Sequence, residues 1–281
     1  MICIVINLYI LRLEVIMNIA ELDITSTHDR FIRMYPIGDM HLEKFHFDEA
    51  RFKRYIQEIA ADPFGFWVFV GDAIEGRVPG QKLYDPDIIR PEYKNSDYMF
   101  QVQNKMAELF EPLRARPGLV SKGNHDEYQQ WSGISQYLAS ISGAHYLGGE
   151  GMVRVNVDLR GKTRSILGYV RHIIGGGKRP GSKVNNAEDL SLVADADFYV
   201  AGHIHDSFAR ISSRFTLPRR GGLKLVQRPS AKIIAPSFLA DRLQGFDDYA
   251  AKKGLPPTDN GIIVVDIDCE NMRFFRREMR Y

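Results

Sequence analysis

The sequence predicts an α/β protein in which two β-sheets pack together and helices flank them. Apolar segments of strand length alternate with segments of helical periodicity in the first half of the chain, and strand-like segments dominate the second half. Alternation followed by a run of strands is typical of sheets that are covered by helices. The 281 residues are enough for one large domain with a well-buried core.

The elements of the first half are predicted from apolar spacing and capping residues. Residues 66–70 form a continuous apolar run, which is typical of a strand buried on both faces. Residues 47–61 repeat apolar side chains at helical spacing, and Ser96 and Asp97 can cap a later helix. The inward-facing side chains of that helix are predicted to be Phe100, Val102, Met106, Leu109 and Phe110. We predict strands at 31–37, 66–70 and 118–121, and helices at 47–61, 96–113 and 133–141.

The second half is predicted to be rich in strands. Two alternating segments surround Arg160-Gly161-Lys162, which indicates a hairpin. We predict strands at 151–159, 163–170, 198–201, 207–217, 223–234, 262–267 and 273–275. Residues 1–30 are interpreted as an N-terminal extension and 31–281 as the domain, with the strand-rich tail 207–281 completing the second sheet.

Composition limits the classes of partner and compartment. The net charge is +2, but arginine and lysine become more frequent in the last third, a pattern that permits a polyanionic partner without requiring one. Cys3 and Cys269 match no metal-binding spacing, so we expect a reducing, cytoplasmic location. Residues 1–16 are apolar but interrupted by charge and too short to span a bilayer, so we expect an upstream extension or an added edge strand and no membrane association.

Polar clusters follow apolar stretches at several points of the chain. They are Asp39-Met40-His41, Gly71-Asp72, Gly123-Asn124-His125-Asp126 and Gly202-His203-Ile204-His205. Ligands in such sheets gather at the carboxyl ends of strands, so we expect these clusters to converge on one rim. Carboxylate, imidazole and amide ligands can together hold two divalent cations about 3.5–4 Å apart, with positions left for water and substrate.

Each cluster taken alone has a simpler interpretation. An isolated Asp39–His41 pair is more often a surface turn, and the two histidines of the last cluster can form a structural site for a single metal ion. Asp72 is better placed to bridge two cations, because Gly71 lets the backbone turn sharply at a strand end. The combination, rather than any one cluster, predicts a site for two metals.

The order of these clusters resembles the calcineurin-like metallophosphoesterase superfamily over roughly residues 31–210. The resemblance implies a four-layer α/β/β/α double β-sandwich, and it adds the lone His172. It implies that Asp39, His41 and His205 bind one metal, that Asn124, His172 and His203 bind the other, and that Asp72 bridges them. The stretch from Tyr84 through Asn104 and the glycine-rich loop after His172 resemble phage and prophage members of the superfamily.

The resemblance also assigns catalytic roles, with some departures. His125 corresponds to the histidine that contacts the scissile phosphate and protonates the leaving group, and Asp126 is expected to orient it. Glu75 stands where many members have aspartate, and we expect it to support a ligand. The chain lacks the Gly-Asp-x-Val-Asp-Arg-Gly string of protein Ser/Thr phosphatases, which disfavours a phosphoprotein substrate.

We therefore expect a hydrolase of phosphoric esters, preferably a phosphodiesterase acting on a nucleotide or nucleic acid. The ligand set suits transition metals, with manganese expected and iron, zinc, cobalt or nickel as alternatives. A phosphomonoesterase and a non-catalytic metal-binding scaffold are the rival functions, and oligomerisation is left open. The side chains expected to contact substrate phosphates are Arg171, Lys178, Arg179 and Lys183, unless the basic glycine-rich loop is only a solvated, mobile segment.

Overall fold

Two six-stranded β-sheets form the centre of the protein. They are seen in a computed structural model that describes residues 17–24, 30–77, 84–127, 133–172, 179–217, 225–240 and 261–280. The strands are β1 (Asn18–Ile24), β2 (Phe31–Ile37), β3 (Gly65–Phe69), β4 (Gly118–Ser121), β5 (His145–Gly148), β6 (Glu150–Leu159), β7 (Lys162–Arg171), β8 (Phe198–Ala201), β9 (Phe208–Thr216), β10 (Val226–Ile234), β11 (Ile262–Asp268) and β12 (Arg273–Met279). The helices are α1 (Glu49–Ala61), α2 (Tyr98–Phe110), α3 (Ile134–Ser142) and α4 (Pro180–Val193).

The sheets and helices form four layers, which confirms the predicted fold class. Sheet A has the order β1-β6-β7-β8-β10-β9, and sheet B has the order β12-β11-β2-β3-β4-β5. One apolar cluster fills the space between the sheets, a second joins sheet B to α1, α2 and α3, and a third joins sheet A to α4. The burial of these side chains is the main stabilising contribution to the fold.

Parallel strands bring their carboxyl ends to one edge of each sheet. In sheet B, β2 pairs with β3 and β3 with β4 in parallel, while in sheet A β7 pairs with β8 in parallel. The registers align Ile37 with Phe69 and Arg171 with Ala201, the last residues of their strands. The residues that follow these strands therefore lie side by side along one rim of the sandwich.

Helix α1, in the helical layer that covers sheet B, shows which sequence features produce a helix there. Asp48 caps its N-terminus, since the Asp48 side chain accepts a hydrogen bond from the Arg51 backbone N–H at 3.0 Å. Phe52, Ile56 and Ile59 recur every three or four residues and are buried against the sheet.

The structure places two segments differently from the predicted domain organisation. Residues 18–24, which we assigned to an extension outside the domain, form β1, which pairs in parallel with β6 and places Ala20, Leu22 and Ile24 in the core between the sheets. The tail does not complete a single sheet, because β9 and β10 join sheet A whereas β11 and β12 join sheet B. Residues 1–16 and 25–29 lie outside the described part of the chain.

The C-terminal part of the basic glycine-rich loop, which we predict over residues 175–183, is helical instead. Helix α4 begins at Pro180, a residue type favoured in the first turn because its missing N–H costs no hydrogen bond there. Residues 173–178 lie outside the described residues. Within the parts of the chain that the structure describes, no helix is both long and apolar enough to cross a membrane.

Candidate metal centre

The predicted ligands come together on the rim where the parallel strands end. Asp39 and His41 follow β2, Asp72 follows β3, and Asn124 follows β4. On the other sheet His172 follows β7, and the two histidines of the last cluster follow β8. The site therefore lies between the ends of both sheets, and each sheet contributes part of the ligand set.

Several residues at the site have a positive φ angle, a backbone conformation that residues other than glycine rarely adopt. In the described residues, positive φ angles outside glycine are otherwise found only at Arg160 and Met272, which lie in the turns between β6 and β7 and between β11 and β12. The residues at the site with positive φ are Asp39 (39°), His41 (43°), Asp72 (56°), His203 (70°) and His205 (52°). Such strain persists only where surrounding structure enforces it, and it concentrates at functional sites.

Two glycines allow the loops after β3 and β4 to pack against each other. A Cβ added at Gly71, where φ is 98°, would lie 2.2 Å from the Gly123 nitrogen, and one added at Gly123 would lie 2.1 Å from Asp72 Oδ1. Both distances are far below van der Waals contact. Glycine at these positions lets the two loops bring Asp72 and Asn124 to the same point.

Gly123→Ala is expected to lower metal affinity and to destabilise the fold by about 1–3 kcal/mol, the usual cost of overpacking. The added methyl group must displace the Asp72 carboxylate, because it would lie 2.1 Å from Oδ1. Calorimetric metal titration and thermal unfolding measure the two effects. Gly149→Ala is the matched control, since a Cβ there meets nothing within 4 Å; equal behaviour of the two variants would contradict this packing role.

Groups of histidine and aspartate side chains in the described residues can hold a metal ion. Within each group the potential ligand atoms lie within 4.8 Å of one another. The groups are Asp39–His41–His205, His41–Asp72–His125 and Asp72–His172–His203. Since Asp72 belongs to two groups that otherwise share no residue, its carboxylate connects the two halves of the site.

The Asp72 carboxylate faces imidazoles from both sides. Its Oδ2 lies 3.3 Å from His172 Nε2, 3.9 Å from His203 Nδ1 and 3.9 Å from His41 Nε2. Two ligand atoms bound to one transition metal, each at about 2.0–2.2 Å, lie roughly 3–4 Å apart. The other oxygen, Oδ1, accepts a hydrogen bond from the His125 backbone N–H at 3.0 Å and so fixes the orientation of the carboxylate.

Unsatisfied buried atoms show that these residues fit a metal. Among the described residues, His41 Nε2 and Asp72 Oδ2 are fully buried and have no hydrogen-bond partner. A buried polar atom without a partner is costly, so it indicates an unseen ligand. A cation between these two atoms would satisfy both at once.

The contacts of His172 also indicate that these residues fit a metal. Its Nδ1 lies 2.7 Å from the Val70 carbonyl oxygen, which can only accept a hydrogen bond, so Nδ1 carries the proton. In the neutral ring Nε2 then has a lone pair, yet it lies 2.9 Å from Asn124 Oδ1, another acceptor. Without a cation, Asp72 raises the pKa of His172 to about 9 against the effect of burial, so a proton on Nε2 can join the two atoms. A metal ion bound to both Nε2 and Asn124 Oδ1 would take the place of that proton.

Glu75 supports His41 from behind. The Glu75 Oε2 atom lies 3.2 Å from His41 Nδ1, which leaves Nε2 directed towards Asp72. Burial, together with the nearby charge of Lys44, lowers the pKa of His41 to about 4, so the imidazole is neutral at neutral pH. Neutral imidazole with a carboxylate on its second nitrogen is the usual form of a metal-binding histidine. The expectation that Glu75 supports a ligand agrees with this contact.

The two buried carboxylates differ in their proton affinity. Burial and the charge of Asp72 raise the pKa of Asp39 to about 7, against the opposing effect of His172. Burial also favours protonation of Asp72, but the imidazoles of His172 and His203 beside its carboxylate outweigh burial and hold the pKa of Asp72 well below its usual value. The buried cluster is short of positive charge, which a bound cation would supply.

The orienting role that we predicted for Asp126 is wrong. Its carboxylate is fully buried and accepts hydrogen bonds from three loop N–H groups and one hydroxyl: Asp72 N (3.0 Å), Ala73 N (3.0 Å), Gly123 N (2.9 Å) and Ser135 Oγ (2.9 Å). Asp126 therefore holds the loops after β3 and β4 together. The group that orients His125 is the Glu75 carbonyl oxygen, which lies 2.8 Å from His125 Nδ1. No sequence pattern signals a backbone carbonyl in this role.

The open side of the site is formed by the ligands from sheet A. The side chains of His205 and His203 are 40% and 26% exposed, whereas Asp39 and His41 are buried. His125 is almost buried, with 9% of its surface exposed.

The predicted substrate-binding cations are only partly available. Lys183 Nζ lies 2.8 Å from Asp206 Oδ2, and an Arg171 guanidinium nitrogen lies 3.5 Å from Glu150 Oε2, so both charges are compensated. Arg179 is exposed and precedes α4 directly. Lys178 lies outside the described residues. Among the described residues, the structure thus brings the predicted metal ligands together, whereas Arg171 and Lys183 are paired with carboxylates.

Comparisons with known proteins give only distant similarities. No protein-family model matches the sequence, and no curated protein matches it either. Similar solved structures include an archaeal phosphodiesterase (10% identity, 88% of this chain and 100% of that chain, TM-score 0.38). Others are the nuclease MPE of Pseudomonas putida (12% identity, 87% of each chain, TM-score 0.35) and Zn-complexed Vps29 of Entamoeba histolytica (12% identity, 88% and 98%, TM-score 0.35). At these identities and TM-scores no activity is transferred to this chain.

Proposed function

We propose that this protein is a calcineurin-like metallophosphoesterase, a phosphodiesterase that depends on two divalent cations and acts on a nucleotide or nucleic acid. The observation that supports this most directly is the position of Asp72 Oδ2, which lies 3.3–3.9 Å from imidazole nitrogens of both ligand groups. Imidazoles of two separate ligand groups around one carboxylate oxygen favour two cations over a single structural metal.

The ligand groups fit transition metals better than calcium or magnesium, because imidazoles make up much of the donor set. One group is Asp39, His41 and His205, and the other is His172 and His203 with Asn124, whose Oδ1 lies 2.9 Å from His172 Nε2. Asp72 would be shared between them. When bound, two such cations neutralise the phosphate charge and acidify the attacking water. Manganese is our first choice, with iron, zinc, cobalt and nickel as alternatives.

His125 is the residue that supplies the proton in this proposal. Hydrolysis forms a bond from the water oxygen to phosphorus and breaks the bond to the leaving oxygen, which must take up a proton. The Glu75 carbonyl oxygen, 2.8 Å from Nδ1, keeps the proton on that nitrogen in both ionisation states of the ring. Proton exchange is therefore assigned to Nε2, and a positioned acid of this kind contributes about 10²–10⁴-fold to the rate.

If the substrate is a nucleic acid, we expect basic residues near the rim to contact its phosphates. Arg179→Gln combined with Lys183→Gln is expected to raise KM for single-stranded DNA and to flatten its salt dependence by roughly one unit per lost phosphate contact. The KM for bis-p-nitrophenyl phosphate should stay the same, because that substrate is too short to extend beyond the metal site. Steady-state kinetics at several salt concentrations measure both.

Arg160→Gln is the matched control for this experiment. It removes an exposed arginine from the turn between β6 and β7, at the opposite end of β7 from His172. A polynucleotide substrate would be contradicted if Arg160→Gln weakened DNA hydrolysis as much as the double variant of Arg179 and Lys183. It would also be contradicted if the double variant had no effect on DNA hydrolysis. Either result would favour a small diester as the substrate.

The test of the proposed function is a substrate panel on metal-supplemented protein. The panel contains bis-p-nitrophenyl phosphate, p-nitrophenyl phosphate, cyclic nucleotides, and single- and double-stranded DNA. We expect diesters to be hydrolysed faster than p-nitrophenyl phosphate, and no hydrolysis after chelation. A preference for p-nitrophenyl phosphate would replace the proposal by a phosphomonoesterase, and binding of metal without hydrolysis would replace it by a non-catalytic scaffold.

A further inference from the structure

The carboxylate of Glu75 has more charged neighbours than support of one ligand requires. It is buried, with 4% of the side chain exposed, and each of its oxygens contacts one cation and faces one imidazole. On Oε2 the neighbours are Lys44 Nζ at 2.5 Å and His41 Nδ1 at 3.2 Å. On Oε1 they are an Arg77 guanidinium nitrogen at 2.7 Å and His125 Nδ1 at 3.6 Å.

The side chains of Lys44 and Arg77 are separate from the exposed side of the metal site. The side chains of Lys44 and Arg77 are only 14% and 20% exposed, and both charges are directed at Glu75. The Lys44 backbone is also fixed, because its N–H donates a hydrogen bond to the His41 carbonyl oxygen at 2.9 Å. Lys44 is thus held in the same short loop as the ligand that it affects through Glu75.

The backbone of Glu75 is held independently of its side chain. Glu43 Oε1 accepts hydrogen bonds from the Glu75 N–H at 2.8 Å and from the Gly76 N–H at 3.0 Å. Substitution of Lys44 or Arg77 should therefore leave the Glu75 backbone and its loop in place. What it removes is the restraint on the last torsion of Glu75, which is intrinsically broad for a carboxylate.

We propose that Lys44 and Arg77 are positioning residues that act through Glu75. Lys44 fixes the oxygen that orients the metal ligand His41, and Arg77 fixes the oxygen nearest to the acid His125. Ion pairs of this length, one on each oxygen, are strong enough to select one orientation of a buried carboxylate. This inference rests on the function proposed above.

The test is a comparison of Lys44→Met with Arg77→Met. Lys44→Met is expected to lower the affinity of the apoprotein for Mn²⁺ by roughly 10–100-fold, as for other residues that orient a ligand, while kcat at saturating metal changes little. Arg77→Met is expected to leave Mn²⁺ affinity unchanged and to lower kcat at least tenfold for a diester with a poor leaving group. Its effect on bis-p-nitrophenyl phosphate should be smaller, because p-nitrophenolate scarcely needs protonation.

Two further variants keep this test decisive. Lys44→Arg retains the positive charge and should have the Mn²⁺ affinity of the wild type. If Lys44 contributed only by the packing of its side chain, arginine would not restore that affinity. Lys44→Arg also provides the test if Lys44→Met fails to fold. Lys53→Met removes a lysine from an exposed ion pair with Glu108 and should change neither quantity. Calorimetric Mn²⁺ titration of the apoproteins measures affinity, and steady-state kinetics measure kcat.

The outcomes separate this inference from the proposed function. Wild-type protein that binds no Mn²⁺ or hydrolyses no phosphoester would overturn the proposed function itself. An active wild-type enzyme whose Lys44 and Arg77 variants behave like Lys53→Met, or whose two variants lose the same property, would overturn only the positioning roles.

Discussion

Asp72→Asn is expected to abolish phosphoester hydrolysis and to lower the bound metal to one equivalent or none. An asparagine can keep the hydrogen bond that Oδ1 accepts from the His125 N–H. In place of Oδ2, however, it puts an uncharged NH₂ donor opposite the imidazole nitrogens of His172 and His41, which lie 3.3 and 3.9 Å away. A cation in that position would lose one negative charge and one ligand atom.

Elemental analysis of the purified variant, together with kinetics on bis-p-nitrophenyl phosphate, measures this effect. The matched control is Asp158→Asn, because Asp158 accepts a hydrogen bond from the Gly161 N–H at 2.8 Å in the turn at the far end of β6. An active Asp72→Asn variant that retains two equivalents of metal would remove the bridging role from Asp72.

His125→Ala is expected to lower turnover by about two to four orders of magnitude while leaving metal content near that of the wild type. The loss should be largest for diesters with poor leaving groups and smaller for p-nitrophenyl esters, which scarcely need protonation. The physical reason is the contact between His125 Nδ1 and the Glu75 carbonyl, which assigns proton transfer to the other ring nitrogen.

The alternative for His125 is a direct role in binding metal. Its ring centroid lies 4.8 Å from that of His41, and its ligand atom lies within 4.8 Å of those of His41 and Asp72. If the alanine variant loses a metal equivalent, His125 is a ligand and not the acid. His145→Ala, which removes an exposed imidazole at the start of β5, should change neither turnover nor metal content.

Much of the fold could be predicted because its central strands are continuous apolar runs. β2, β4 and β8 were predicted with the bounds that the structure gives, and β3 to within one residue. α4 was missed, because only Ala187 and Leu190 of this helix are buried and its sequence begins with Pro-Gly. β1 was missed since its alternating pattern follows an apolar stretch that we interpreted as an extension.

The sequence was less informative about the direction of single side chains. We predicted Phe100 to face the core, but it is 66% exposed, since the buried face of α2 is set by Val102, Met106 and Leu109. Asp126 was paired with His125 because the two are neighbours in sequence. In the structure the Asp126 carboxylate instead accepts hydrogen bonds from backbone N–H groups of two loops.

The convergence of the polar clusters could be predicted, whereas the network behind them could not. Parallel strands place their following residues on one rim, and this rule holds for Asp39, Asp72 and His203 whatever the details of packing. The contacts of Lys44 and Arg77 with Glu75 depend on loop conformations, for which the sequence carries no periodic signal.

The central claim, that two cations bound by these ligands are required for hydrolysis, is tested most directly by titrating metal-free protein with Mn²⁺ while following bis-p-nitrophenyl phosphate hydrolysis. We predict no turnover without metal, and a rate that rises until two equivalents of Mn²⁺ are bound per chain and then levels off. Hydrolysis that persists in the metal-free protein, or a full rate at one equivalent, would contradict the account.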